Sequence, residues 1–184
     1  MKIICISGKA GHGKDKLASV MRRALEADGY SVLITHYADL LKFVCRQYFD
    51  WDGGKDEYGR CLLQYVGTDK IRDVNPDFWV AFIASILRIF KDEWDYVLIP
   101  DCRFPNELEF LREMGFDATL VKVVRNGYIS PLTAEQQAHP SETALDEYPA
   151  EVICNDGTES GLSRAAAEWL LKTNGIHQMC IEEL

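Results

Sequence analysis

The sequence predicts an α/β fold, a parallel sheet covered by helices on both faces, and three observations carry that expectation. Short apolar runs of strand length alternate with stretches whose apolar residues recur at helical spacing. The first strand feeds a glycine-rich turn that opens a helix. The chain has 184 residues and 47% hydrophobic content, which suits one domain over residues 1–184 with its own core and a small mobile insertion.

Met1 to Ser7 is an apolar run of strand length, and Lys14 to Ala27 follows as a helix closed by Gly29. Ser31 to His36 reads as a second strand and Ala38 to Phe49 as a helix. Residues 51–56 form a loop; Tyr58 to Asp73 and Pro76 to Glu93 are two further helices, the second opened by Pro76 near its first turn. Trp94 to Pro100 is a buried-strand run, Pro105 to Met114 a helix stopped by Gly115, and Ala118 to Val124 another strand. Asn126 to Pro149 turns polar and irregular, with prolines at 131, 140 and 149. Such a length suits a lid, the other reading being a disordered surface loop. Glu151 to Cys154 is a last short strand and Thr158 to Thr173 a closing amphipathic helix. The tail from Ile176 to Leu184 has no assignable role.

Between the first strand and helix lies Gly8-Lys9-Ala10-Gly11-His12-Gly13-Lys14-Asp15. Glycines there open backbone conformations closed to other residues and turn successive N–H groups around an anion, while the helix adds the positive end of its dipole. Lys14 would reach the terminal phosphates as a point charge. The hydroxyl residue usual after the lysine, a Mg2+ ligand, is replaced by Asp15, so a carboxylate takes that role, directly or through water, or other groups hold the ion. Ligands of parallel sheets gather at the carboxyl ends of strands, which singles out this loop and the turns after His36, Pro100 and Arg125.

After Pro100 comes Asp101-Cys102-Arg103-Phe104-Pro105-Asn106-Glu107. An acid at the tip of an apolar strand is costly unless its charge is needed, and a magnesium–triphosphate complex needs it. Asp101 is the candidate for holding the ion's water shell, and Arg103 for a fork onto a phosphoryl oxygen. The plainer reading is an Asp–Arg pair capping the helix near Pro105, with Glu107 as a first-turn carboxylate. Gly67, inside a predicted helix, costs about 1 kcal/mol against alanine, so a close approach should compensate. Arg72 is a candidate for the phosphate of a second substrate, with Trp79 either lining that pocket or, as an aromatic at helical spacing more often does, packing in the core. Tyr65, Phe78, Phe82 and Phe90 read as core. His36 and His139 read as structural, since nothing in the sequence pairs either with a carboxylate. No nucleophilic Ser or Cys has a partnered histidine, so triad hydrolysis has no support.

The net charge of −9 argues against binding a nucleic-acid polymer, leaving a small nucleotide as the partner. The six cysteines are scattered without C-x-x-C spacing, as in reduced cytosolic proteins. No signal pattern and no membrane-length apolar run is present in the sequence, so a soluble cytoplasmic protein is expected.

In order, these segments resemble the deoxynucleoside monophosphate kinase family of phages and bacteria, within the P-loop nucleoside-monophosphate-kinase superfamily. The likeness covers about residues 1–160. It rests on residues 7–15, where Asp also follows the lysine, on Ala38-Asp39-Leu40-Leu41-Lys42, and on Leu63 to Thr68 with Arg72 and Trp79. Ile99 to Glu107 follows, then His139-Pro140-Ser141-Glu142 with Leu145-Asp146. The resemblance implies a three-layer α/β/α fold with a five-stranded parallel sheet in the order 2-3-1-4-5, a helical monophosphate-binding region at about 38–93 and a lid at about 126–150. It implies ATP and Mg2+ as cofactors, with a nucleoside monophosphate as acceptor.

By the same resemblance, Gly8 to Lys16 and Arg125 bind ATP, and Asp39, Lys42, Gly67, Thr68, Arg72, Trp79 and Arg103 face the monophosphate. Lys14, Arg103, Asp101 and Arg72 carry the chemistry; Asp15 and Asp101 serve the metal; His139, Ser141 and Glu142 belong to the lid. Two departures stand out. Lys16 replaces a common Thr, and residues 126–150 contain no Arg or Lys, so transition-state cations come from Lys14, Arg103, Arg72, Arg125 or a partner chain. An arginine finger supplies roughly a thousandfold or more, so this lid raises the question of slow turnover. ATP-dependent phosphorylation of a deoxynucleoside monophosphate is the leading expectation. The alternatives are a phosphomevalonate-kinase-like enzyme and a nucleotide-binding protein with little catalysis. The assembly is a monomer or homodimer.

Overall fold

The computed structural model describes residues 1–54 and 56–174; the tail from Ile176 lies outside them. Strands β1 (Lys2–Ser7), β2 (Val32–Ile34), β3 (Tyr96–Ile99), β4 (Asp117–Val124) and β5 (Glu151–Cys154) form one five-stranded sheet. Its order is 2-3-1-4-5 and every neighbouring pair is parallel.

Alternation along β1 splits the core into two layers. Ile3 and Cys5 face one layer with buried residues of α2 (Ala38–Tyr48), α5 (Phe78–Ile89) and α6 (Pro105–Glu113). Ile4 and Ile6 face the other, with α1 (Lys14–Ala27) and α9 (Glu159–Asn174). Apolar burial on both faces is what a parallel sheet requires.

Three elements differ from the sequence expectation. The single helix expected over residues 58–73 is α3 (Glu57–Gln64), a π-helical turn over Tyr65–Lys70 and α4 (Ile71–Val74). Gly67 sits in that π turn, and a Cβ there would lie 2.6 Å from Leu41 Cδ2, the close approach its presence called for. The lid also contains two short helices, α7 (Ala134–Ala138) and α8 (Pro140–Thr143). Third, Tyr65, Phe78, Phe82 and Phe90 are not core: they are 39–48% exposed. In α5 the buried stripe is Trp79, Val80, Ile83, Ala84 and Leu87. Phe78 and Phe82, one step earlier in phase, therefore fall on the outer face.

Leu98, in the sheet between β2 and β1, is fully buried. Leu98→Ala is expected to lower unfolding stability by about 2–5 kcal/mol, read from urea denaturation midpoints.

Candidate active site

The phosphate loop is held open by contacts that only glycine permits. Gly8, Gly11 and Gly13 have φ of 147°, 80° and 97°. A Cβ on Gly8 would meet Val123 O at 2.5 Å, and one on Gly13 would meet Asn155 Nδ2 at 2.6 Å. Asn155, just past β5, donates from Nδ2 to His12 O at 2.9 Å and so ties the loop to the far side of the sheet. The sequence reading missed it, although it too follows the carboxyl end of a strand.

Lys14 Nζ donates to the loop's own carbonyls, Gly8 O at 2.7 Å and Lys9 O at 3.1 Å. Burial, and then the nearby Arg103 guanidinium, depress its ammonium to about 8. The Arg103 guanidinium is thus close enough for its charge to act on Lys14. Burial also lowers His12, whose ring packs edge-on to Tyr128. Arg125 lies over Tyr128, 4.9 Å from the ring centroid, and the Tyr128 ring crosses Gly11. Lys16 turns away, pairing with Glu159 at 2.7 Å, so its ammonium faces α9 rather than the loop.

The lid reaches this loop through its acids. Glu142 Oε2 accepts the Ala10 N–H at 3.1 Å, and Glu142 Oε1 binds Arg103 Nη1. Arg103 Nη1 also donates to Ser141 O at 2.8 Å. Lys9 Nζ donates to Glu142 O at 2.5 Å and to Asp146 Oδ1 at 2.5 Å. His139 caps α8: its Nδ1 accepts from Ser141 N at 3.2 Å. Its Nε2 lies 3.4 Å from Asp69 Oδ1.

On the opposite side, Asp101 accepts from Tyr37 N at 3.0 Å and Ala38 N at 2.9 Å, capping the start of α2 from another strand. Burial pushes its carboxyl up, while these N–H bonds pull it back. This corrects the expected Asp–Arg cap of the helix near Pro105: Asp101 caps α2, and Arg103 binds the lid. Glu107 is a first-turn carboxylate of α6, as one reading held, and is buried as well. It accepts Arg103 N at 2.6 Å and Phe104 N at 3.1 Å, and it binds Arg72 Nη2. Arg72 also donates from Nη1 to Pro76 O at 3.1 Å and lies 4.3 Å over the Phe104 ring. Both arms of its fork are thus engaged.

Trp79 is 2% exposed and its Nε1 donates to Gly67 O at 3.0 Å, so the ring lies in the core and does not line an open pocket. Gly67 is buried beneath it and Thr68 half-buried. Lys42 pairs with Asp39 at 3.0 Å on the exposed side of α2.

Both histidines have carboxylate neighbours, contrary to the sequence reading. His36 Nε2 lies 3.1 Å from Asp15 Oδ1, and Nδ1 lies 3.4 Å from Asp39 Oδ2. It joins the phosphate loop's helix to α2 across the sheet edge. Its place at the end of β2 was the available signal; its partners, distant in sequence, were not legible. The Asp15 contact, opposed by burial, raises the His36 imidazole above its ordinary value.

A 2-3-1-4-5 parallel sheet whose first strand feeds a glycine cradle, with a lysine and an arginine at adjacent strand ends, defines a P-loop phosphotransferase. The chain belongs to the deoxynucleotide monophosphate kinase family, which matches residues 54–165. A deoxynucleotide monophosphate kinase of Enterobacteria phage T4 is 35% identical over 102 residues, 54% of this chain and 39% of the relative. A deoxynucleoside-5'-monophosphate kinase of Escherichia phage T5 is 36% identical over 101 residues, 53% of this chain and 37% of the relative. The alignments thus span well under half of either phage protein. A mimivirus protein (Acanthamoeba polyphaga mimivirus) whose name assigns it to the deoxynucleotide monophosphate kinases is 29% identical over 171 residues, 79% of this chain and 82% of that protein. In fold, the chain is similar to an APS kinase of Mycobacterium tuberculosis solved with AMPPNP and APS. Its TM-score is 0.52 at 15% identity, covering 92% of this chain and 95% of that one.

The protonated His36 stabilises the fold at low pH, and this contribution is lost as pH rises through its raised value. Proton NMR titration should place the His36 midpoint above that of an unperturbed histidine side chain, and Asp15→Asn should bring it down. An unchanged midpoint in that variant would contradict the contact.

Proposed function

We propose that this enzyme transfers the γ-phosphoryl group of ATP to the phosphate of a deoxynucleoside monophosphate, with Lys14 and Arg103 bracing the group in flight. One observation carries the reading. The Glu142 carboxylate is gripped by a phosphate-loop N–H and by Arg103, beside Lys14. Held there, the guanidinium leaves its Nε and Nη2 free among the described residues, beside Lys14, a pair of cations suited to phosphoryl oxygens.

On ATP binding, Lys14 exchanges the carbonyls of Gly8 and Lys9 for phosphate oxygens. The donors are already placed, so little reorganisation is needed as charge spreads over the phosphoryl group. Arg103 comes from the strand beside β1 and meets the group from the acceptor side. Arg72 acts chiefly through Glu107 and, by it, the Arg103 backbone; Lys42, Asp39 and Thr68 are assigned to the acceptor region. Arg125 and Tyr128 lie at the loop's outer side, where the ATP base is expected. No general base is required, because an acceptor phosphate is already ionised near neutral pH. The lid excludes water that would otherwise hydrolyse ATP.

Mg2+, when bound, neutralises charge on the β and γ oxygens. Asp15 suits that ion as a largely exposed carboxylate in the first turn of α1, and Asp101 through water, by the lone pairs its two N–H bonds leave free. The net charge of −9 favours small-molecule partners over a nucleic-acid polymer. None of the described helices is long and apolar enough to cross a membrane; a cytoplasmic site of action, as monomer or homodimer, completes the proposal.

A coupled ADP-release assay across the four natural deoxynucleoside monophosphates, with phosphomevalonate as the contrasting acceptor, is expected to give acceptor-dependent ADP with at least one nucleotide. Silence with all four removes the reading. Lys14→Met should lower kcat by about 10²–10³-fold. Because Lys14 in the free enzyme loses its proton near pH 8, kcat/KM for ATP should fall about tenfold per pH unit above that point. A profile flat to pH 9.5 would contradict the titration of a phosphate-holding Lys14 near pH 8.

A further inference from the structure

Between β4 and β5, residues 126–150 contain neither Arg nor Lys, yet the lid makes direct contact with the phosphate loop. Its contribution is a carboxylate. The Glu142 side chain is 6% exposed, with Oε2 on Ala10 N and Oε1 on Arg103 Nη1. The neighbouring carbonyl of Ser141 takes a second bond from the same Nη1, at 2.8 Å.

Arg103 is held by one corner only. Among the described residues, its Nε and Nη2 make no hydrogen bond, and its side chain is 34% exposed. Arg72 contrasts with it: both of its terminal nitrogens are spent on Pro76 O and Glu107, and its side chain is 12% exposed. A guanidinium gripped at Nη1 presents its Nε–Nη2 edge as a fixed two-pronged donor, the geometry that matches two phosphoryl oxygens. The grip also removes rotamer freedom before the substrate arrives.

We propose that Glu142 is a positioning residue that, through Arg103, aims a cation from the end of β3 at the transferred phosphoryl group, so that a lid without cations borrows one. The proposal rests on the kinase reading above. The repulsion between Glu142 and a phosphoryl group is met locally by Arg103, which binds the carboxylate, and by the nearby Lys14. The rival role is a plug: Glu142 fills the phosphate slot and ATP expels it.

Steady-state kinetics and ATP titration calorimetry on the full chain separate the two, using Glu142→Ala, the near-isosteric Glu142→Gln, Arg103→Ala and the Glu142→Ala/Arg103→Ala double variant. For a positioning residue, Glu142→Ala lowers kcat on the order of tenfold to a hundredfold while the ATP Kd stays within about threefold. Glu142→Gln, whose amide oxygen still accepts from Arg103, recovers part of that loss. The double variant is no slower than Arg103→Ala alone. The proposal is overturned if both Glu142 variants bind ATP more tightly with kcat unchanged or raised, which is the plug. It is also overturned if the two substitutions multiply, since Glu142 then acts independently of Arg103. An unaltered protein with no acceptor-dependent turnover defeats the kinase reading itself; an active protein indifferent to Glu142 defeats this proposal alone.

Discussion

One anionic position, between the phosphate loop and Arg103, organises the functional end of this molecule. Lys14, Arg103 and the Ala10 N–H bear on it, Glu142 supplies the negative charge, and Lys9 ties the lid beside it through the Glu142 carbonyl and Asp146. Cations gathered this closely repel one another, and the depressed Lys14 ammonium registers that cost together with its burial. Without an anion among them the arrangement would spread apart. With Glu142 holding them together, Lys14 and the unbonded Nε–Nη2 edge of Arg103 are left to meet a polyphosphate beside it.

The sheet makes that position available. Because β1 lies between β3 and β4, the loop after Ser7 and the segment after Ile99 leave the same edge side by side. Cys5 pairs with Ile99, so Ser7 and Asp101 emerge at equal height. Asp101 then anchors the start of α2, and Glu107 fastens the Arg103–Phe104 backbone. This side of the strand ends thereby rests on carboxylates satisfied by N–H groups, and the buried Glu107 among them is costly unless every partner is present. Removing one partner strands the other, which ties local stability to the precision of the site.

Much of this was legible in the residues. The strand–glycine–helix context from Lys2 to Ala27 follows from local rules, and the parallel sheet from alternation; its strand order came with the family resemblance. Partners across the sheet were harder to see. Nothing near His36 in sequence shows that Asp15 lies 3.1 Å away, and nothing near Asn155 shows that it holds His12 O. The exposed phenylalanines of α5 were misplaced by one helical step, and Trp79 was left between pocket and core, because a helix rich in apolar residues on several sides does not declare its buried face. The lid looked deficient by composition, for a count of cations cannot show that Glu142 and the Ser141 carbonyl hold one contributed by β3. Local geometry is written locally; charge pairing belongs to the fold.

The most direct measurement is a crystal structure with a bisubstrate analogue, two nucleosides joined through a phosphate chain. Lys14 Nζ and the Nε–Nη2 edge of Arg103 should both lie within hydrogen-bonding distance of the same bridging phosphoryl oxygens, with Arg103 Nη1 still on the lid. Phosphates bound in the loop while Arg103 faces away from them would contradict the central claim.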